Sequence, residues 1–344
     1  MKRLSGVVVF ILVLSIILAG CGTSSQTDTQ AGSEGGGKVE EVAIKLSWTT
    51  ADAPQDPYAI TAHKFKELLE DAAENVTVEL YPNNMLGGER DVIEGMSLGT
   101  VDMGVITNAP ISGFVPQFQA LDLPFIFSST EQAHAVLDGP IGQELLELLA
   151  GVNIKGFCFS EGGFRQMINN VRPVFEPSDV EGVKYRVMEN PIYMGMFRAL
   201  GSNATPMAWG EVFTAVQQGT IEGLEIPIPV IHQNKYAEVT KYLSLTNHTY
   251  SPLIVMMSAN KWQSLDADLQ AKVVAAAEGA IKHTRAENAK NTAALLEDLA
   301  NQGMEVNEIN DPAAFREKVL PLYDEFSGDI GADLLAKLLE ATSG

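Results

Sequence analysis

Arg165 lies in the run Gly162-Gly-Phe-Arg165-Gln-Met-Ile-Asn-Asn170 and Arg186 in Gly182-Val-Lys-Tyr-Arg186-Val-Met-Glu189, within a chain of 344 residues whose formal net charge is −21. A guanidinium offers a planar fork of donors that matches a carboxylate. An acidic protein that fixes an arginine on a rigid element can be reserving it for a small anion. The alternation of Val183, Tyr185 and Val187 with Lys184 and Arg186 has the period of a strand, which turns Arg186 away from the apolar packing side. The same spacing also fits a solvated arginine paired with a surface acid. Two arginines opening successive elements could converge on one carboxylate. Trp209, in Pro206-Met-Ala-Trp209-Gly-Glu211, stands ahead of a predicted helix, where its face could pack on the apolar side of a sugar or organic acid.

Other chemistries find little support. His63, His134, His232, His248 and His283 are scattered, and no HExxH, CxxC, GxSxG or P-loop pattern occurs. Gly162-Gly163 and Gly35-Gly-Gly37 lack the spacing of a dinucleotide fingerprint, so no cofactor and no metal is expected. An acid and base assembled from distant positions remains open, but an enzyme is not the favoured reading. The negative balance argues against nucleic acid, whose affinity comes mainly from neutralised phosphates. It does not forbid an anionic ligand, because local cations in a cleft outweigh net charge.

The elements that must hold these residues follow from periodicity. Alternation predicts strands at 42–48 and 76–81, a more buried strand at 101–106, and strands at 155–159, 183–187 and 221–225. Helical spacing predicts helices at 58–73, 89–98, 129–137, 141–149, 193–200 and 211–219. The opening βαβαβ order implies a parallel sheet with helices packed on it. Gly162-Gly163 marks a crossover between two lobes, and the body from 42 to 344 is long enough for two. The predicted division is lobe 1 at 42–163, completed by parts of 251–344, and lobe 2 at 164–250. A helical stripe through Leu265, Leu269, Val273, Ala276, Ala277, Ala280 and Ile281 continues in good helix formers, predicting a bracing helix over 264–301. C-terminal helices fill 302–344, one of them at 313–327.

The N-terminus reads as an export signal over 1–20. Lys2 and Arg3 precede an apolar run from Val7 to Ala19, short for a membrane span, and Leu18-Ala-Gly-Cys21 resembles the lipobox of bacterial lipoproteins. Acylation at Cys21 would tether an extracytoplasmic body to the cell membrane. Residues 21–41 are rich in Ser, Thr, Gln and Gly, as a flexible tether is. Loss of residues 1–20 removes two positive charges and no acid, taking −21 to −23. Cys158 is the other cysteine, between Phe157 and Phe159, and reads as a buried small hydrophobe.

Several spaced runs together resemble the substrate-binding proteins of TRAP transporters. They are Gly163-Phe-Arg165, Pro177-Ser-Asp-Val-Glu-Gly182-Val-Lys-Tyr-Arg186-Val, Ala204-Thr-Pro206-Met-Ala-Trp209-Gly-Glu211, Ala215-Val-Gln-Gln-Gly219 and Glu222-Gly-Leu-Glu225. Leu86-Gly87-Gly-Glu-Arg90, Leu123-Pro124-Phe125 and Tyr236-Ala-Glu-Val239 fit in the same order, so the likeness covers about 45 to 330. The resemblance implies a two-lobe periplasmic-binding-protein-like α/β fold with hinge strands and a long helix spanning both lobes. It also implies a bidentate bridge from Arg186 to a ligand carboxylate, support from Arg165, and an aromatic cleft wall at Trp209. Glu189, Thr107, Asn108, Glu89 and Glu225 join the implied ligand contacts, and the loop from Trp48 to Tyr58 would close over from the first lobe.

One position departs from the family pattern. Leu224-Glu225-Ile226-Pro227 stands where many members have an asparagine that bonds the carboxylate, and Ile226 has no such donor. Arg186-Val-Met-Glu-Asn-Pro191 with Trp209-Gly-Glu211 looks closest to the branch binding uronates and aldonates. A C4-dicarboxylate or other organic acid is the alternative, and a ligand-sensing lipoprotein is another. The implied partners are the small and large membrane subunits of a TRAP permease, beside the lipid-anchored membrane contact.

Overall fold

The computed structural model describes residues 41–343. The predicted signal at 1–20, the lipidation candidate Cys21 and nearly all of the tether at 21–41 lie outside the described residues.

The opening order is as the alternation predicts. β1 (Val42–Ser47), α1 (Pro57–Ala72), β2 (Val76–Tyr81), α2 (Glu89–Leu98) and β3 (Met103–Thr107) follow one another, with β1 parallel to both β2 and β3. The start of α1 is fixed by Asp56, whose carboxylate accepts the Tyr58 and Ala59 N–H groups, and by Pro57, which has no donor to leave unpaired. α3 (Asn108–Ile111), α4 (Thr130–Leu137) and α5 (Pro140–Leu148) then lead to β4 (Ile154–Asn169).

β4 joins two halves of one sheet. From Ile154 to Phe164 it pairs antiparallel with β9 (Tyr250–Ser258), which itself pairs with β3; from Arg165 to Asn169 it pairs with β7 (Gly223–Pro227). A register shift falls between Glu161 and Gly163, and Gly163 has φ 101°, a left-handed value that costs glycine little. The sequence predicts a strand ending at 159 and a crossover at Gly162-Gly163. The structure instead carries the ladder through the glycines, because a bulge bends a strand without ending its pairing.

The second half is again parallel. β5 (Tyr185–Val187), α6 (Pro191–Ala199), β6 (Thr205–Pro206) and α7 (Trp209–Gln217) precede β7, and β5 lies parallel between β6 and β7. α8 (Ile228–Gln233) and β8 (Tyr242–Leu245) lead back to β9. The continuous order is β2-β1-β3-β9-β4-β7-β5-β6, with β8 on β4 and β10 (Glu305–Glu308) on β8. Between β9 and β10 come α9 (Ala259–Ser264) and α10 (Ala267–Asn301).

Helices cover both faces, and two apolar clusters result. Along β9, Tyr250, Ile254 and Met256 belong to one, while Leu253, Val255 and Met257 belong to the other. α10 starts at Asp266, which accepts the Leu269 N–H at 2.8 Å, and packs on α1, β4 and α8, so it braces both lobes. Its buried stripe runs from Leu269 to Leu299. The helix predicted at 313–327 is broken into α11 (Pro312–Val319), α12 (Pro321–Glu325) and α13 (Ser327–Ile330), since Pro321 cannot donate within a continuing helix. α14 (Ala332–Thr342) closes the described chain. Cys158 is a free, half-buried cysteine packed against the second cluster, not fully buried as its neighbours suggest.

Candidate functional site

The parallel strands bring their carboxyl ends to one place. Thr49 and Thr50 follow β1, Met188 follows β5, and Ile226 and Pro227 end β7; all five line a cavity with Arg165, Arg186, Trp209 and Glu89. Tyr58, Gly162, Val230 and Ser251 complete the wall. About 370 Å³ lies between the lining atoms, and the walls stand close together. A wider groove beside Asp52, His63 and Glu67 runs along the outside of α1, but those three side chains are exposed, where charges bind weakly. Among the described residues no cluster of potential metal ligands occurs.

Arg186 is held by the strand register that its flanks predict. Tyr185 and Val187 enter one apolar cluster, while Leu224, opposite Arg186 on β7, and Ile226 enter the other. Arg186 therefore shares a face with Ile226, and it is 2% exposed. Its Nε and Nη2 donate to the Met207 carbonyl at 2.9 and 2.6 Å. No carboxylate of the described residues lies within 4.0 Å of it. Burial, with a smaller push from Arg165, pulls its pKa below the usual arginine value against the opposing Glu225, Tyr236 and Glu89; an arginine nevertheless keeps its proton.

Arg165 is placed differently. It is the first residue of β4 beyond the hinge, 3% exposed, and its Nε and Nη2 donate to the Glu225 carboxylate, Nη2 at 3.0 Å. Nη2 also donates to the Glu225 carbonyl, and Nη1 to Ser251 Oγ at 3.2 Å. The guanidinium stands over the Tyr193 ring, 5.4 Å from its centroid. Burial alone lowers its pKa, but the facing Glu225 charge overcomes this and holds it above the usual value. The Glu225 pKa is depressed despite full burial, because Arg165 and then His248 Nε2, at 3.4 Å, stabilise its charge. Burial lowers His248 itself, whose Nδ1 meets Thr246 Oγ1 at 2.7 Å.

Glu89 reaches the cavity from the first turn of α2. The Thr107 N–H donates to its Oε1 at 2.8 Å, and burial pushes its pKa up to about 7. Trp209, half-buried at the start of α7, lies against Tyr236 with ring centroids 5.5 Å apart and planes at 54°.

Of the residues named from sequence, Arg186, Arg165, Trp209, Glu89 and Ile226 line the cavity. Five others do not. Trp48 is 1% exposed in the core beside His63, because the inward alternation of β1 continues through it. Glu189 is exposed outside the wall. Thr107 acts through its N–H on Glu89, and Glu225 is turned to Arg165. Asn108 donates to Phe118 O at 2.9 Å and to Asp122 Oδ2 at 2.7 Å, which removes it to a buried polar node. Thr49, Thr50 and Tyr58 lie in the 48–58 loop expected to close over the cleft, although none is named singly from sequence, and Thr49 and Thr50 sit at the carboxyl end of a parallel strand; nothing in the sequence points to Ser251.

Two side chains tie the halves across this region. Asn190, capping α6, donates to Ala109 O at 3.0 Å, Ser112 Oγ at 3.0 Å and Asp122 Oδ2 at 2.8 Å. Asn234, after α8, accepts from Ala51 N–H at 3.0 Å and donates to Asp56 Oδ2 at 3.0 Å.

Two α/β lobes on shared hinge strands, a long helix bracing both and a buried cavity at the strand ends define a two-lobe solute receptor. Residues 49–329 match the sequence model of the bacterial extracellular solute-binding proteins, family 7. The chain belongs to that family. It is 34% identical over 297 residues to the 2,3-diketo-L-gulonate-binding periplasmic protein of Escherichia coli K12, covering 85% of this chain and 90% of that one. A TRAP periplasmic solute-binding protein from Polaromonas sp. JS666, solved bound to D-erythronate, superposes with TM-score 0.83 at 38% identity, over 87% of this chain and 98% of that one. The sugar acid binding protein of Advenella mimigardefordensis, solved with galactonate, gives TM-score 0.86 at 29% identity, over 88% and 98%.

Proposed function

We propose that this protein is an extracytoplasmic receptor for a small carboxylate, foremost a sugar acid of the aldonate or uronate kind, which it delivers to a TRAP-type ion-coupled permease. The observation that carries the reading is Arg186: a guanidinium taken out of water with two donors on a carbonyl and no carboxylate beside it. A buried charge without a partner is costly, and an anion in the cavity supplies the missing half of the pair. The occupied Nε–Nη2 edge leaves the Nη1 end to take a carboxylate. Trp209 gives the ring or chain an apolar wall, Tyr58 offers a hydroxyl to its polar face, and the Thr49 and Thr50 hydroxyls, which donate to Asn84 Oδ1 and Asp56 Oδ1, can accept from it. Relatives that bind D-erythronate, galactonate and diketogulonate support the ligand class.

Lobe 1 at 42–163 and lobe 2 at 164–250 would close about the bulge at Gly162-Gly163, trapping the acid. Release to the permease requires that the partner favour the open form, a difference in affinity between two states. Cys21 as an acylated anchor and 21–41 as tether would keep the body at the membrane surface. Among the described residues no helix is long and apolar enough to cross a membrane. A thermal-shift screen of aldonates, uronates, dicarboxylates and aromatic acids tests the reading, since a ligand at about 100 times its dissociation constant adds about 2.7 kcal/mol. Absence of a shift with every acid rejects it.

A further inference from the structure

We propose that the charges lining this cavity restrict the receptor to acids with a single carboxylate, and that Glu89 is the residue that turns a second carboxylate away. The proposal rests on the carboxylate-receptor reading above and refines it. Two guanidinium groups line the cavity, but Arg165 is already paired with Glu225 and tied to Ser251. Arg186 is the lining cation without a carboxylate partner, so the wall has one positive charge to give. Once a ligand carboxylate takes it, no cation remains for another.

The rest of the wall sharpens that limit. On the face shared with Arg186, Ile226 is hydrocarbon, Val230 and Trp209 continue it, and Met188 adds hydrocarbon to the wall from the other cluster. A second carboxylate there finds no donor and loses its hydration. On the polar side it meets Glu89, whose Oε1 is fixed by the Thr107 N–H and whose Oε2 has no hydrogen-bond partner among the described residues. A ligand hydroxyl in that place donates to Oε2; a carboxylate brings like charge against like, which suppresses wrong partners strongly. The groups facing Glu89 are Arg186 from β5, Arg165 from β4, Glu189 just after β5 and Tyr58 from α1, and neither arginine reaches ion-pair distance. Because burial pushes Glu89 up to about 7, most of its charge is present at pH 8 and most is neutralised at pH 6.

The test compares acids that differ only at the far end. D-Erythronate is set against meso-tartrate and galactonate against galactarate, each titrated calorimetrically into the full chain at pH 8 and pH 6. At pH 8 the monocarboxylate of a bound pair should be preferred by about a hundredfold or more. The preference should shrink at pH 6, and Glu89→Gln, which keeps an acceptor for Thr107, should shrink it at pH 8 and remove its pH dependence. The pH arm on the unaltered protein stands even if the variant folds poorly. A dicarboxylate bound as tightly as its partner at pH 8 overturns the proposal while leaving the carboxylate receptor intact. A preference unchanged by both pH and Glu89→Gln overturns the role of Glu89. Failure of every acid to bind overturns the receptor reading and this inference together.

Discussion

Arg165 and Arg186 line the same cavity, yet only Arg165 has a carboxylate against it, from Glu225. The two arginines therefore do opposite things for the folded chain. Arg165 completes a buried ion pair, whereas Arg186 is a buried charge that the fold tolerates.

Removing Arg165 should damage the fold. Arg165→Ala strands Glu225, fully buried, with His248 as its remaining partner, and should cost about 3–5 kcal/mol in chemical denaturation. An unchanged midpoint in urea would show that the pair is dispensable.

Removing Arg186 should spare the fold and abolish binding. Arg186→Met keeps the stem's packing and deletes an unpaired charge, so stability should stay within about 1 kcal/mol of the parent or rise. Binding of the best carboxylate should weaken by about 2–5 kcal/mol, and Arg186→Lys should also bind worse because one ammonium cannot reproduce the fork. Calorimetry on both variants decides it; near-native affinity in either contradicts the assignment of the carboxylate to Arg186.

Stability should fall as pH rises. Burial pushes Asp122 up from 3.8 to about 8 despite amide donors from Asn108 and Asn190, pushes Glu89 up to about 7 and pushes Asp56 up to about 6. Between about 4 and 8 the folded chain then holds protons that the unfolded chain has released, so unfolding becomes easier with increasing pH across that window. Asp122→Asn, which mimics the protonated acid, should flatten the slope between about pH 6 and 8 in thermal melts. A melting temperature that rises over that window in the parent would mean Asp122 is ionised in the fold.

The cross-cleft amides should govern closure. Asn234→Ala deletes the bonds to Ala51 and Asp56 and leaves a buried carboxyl one donor short, a loss of about 1–3 kcal/mol. Asn234 does not line the cavity, so the loss should appear as faster ligand release in stopped-flow fluorescence with little change in association. A reduced association rate with unchanged release would assign Asn234 to encounter instead.

Gly163 should resist substitution for backbone reasons alone. At φ 101° an added Cβ has Pro227 Cβ as its nearest neighbour at 3.9 Å, so space is available and Gly163→Ala should cost about 1–2 kcal/mol through conformation. A variant as stable as the parent would mean the bulge relaxes freely.

Much of this architecture was legible because periodicity reports which side of an element is buried. The alternation about Arg186 gave its face correctly, and the βαβαβ opening gave the parallel half. β9 was passed over although Leu253-Ile-Val-Met-Met257 is an unbroken apolar run, the mark of a strand covered on both sides. β8 and β10 are short edge elements whose pairing is set by distant partners. In the site, the sequence brings Arg165 to the cleft, but nothing in its neighbourhood shows that Glu225, sixty positions away in sequence, takes its charge. Trp48 and Asn108 were misplaced for a related reason: motif position tells which segment approaches the cleft, not which way one side chain turns within it.

The Met207 carbonyl, accepting two bonds from Arg186, has an entropic meaning. A long side chain normally loses rotamer freedom when it clasps a ligand, at roughly 0.5–1.5 kcal/mol. Here that freedom is already gone in the folded protein, so the clasp is preorganised. Differences in affinity among acids should accordingly reflect how well each fits the remaining wall, and the guanidinium should contribute a nearly constant share to all of them.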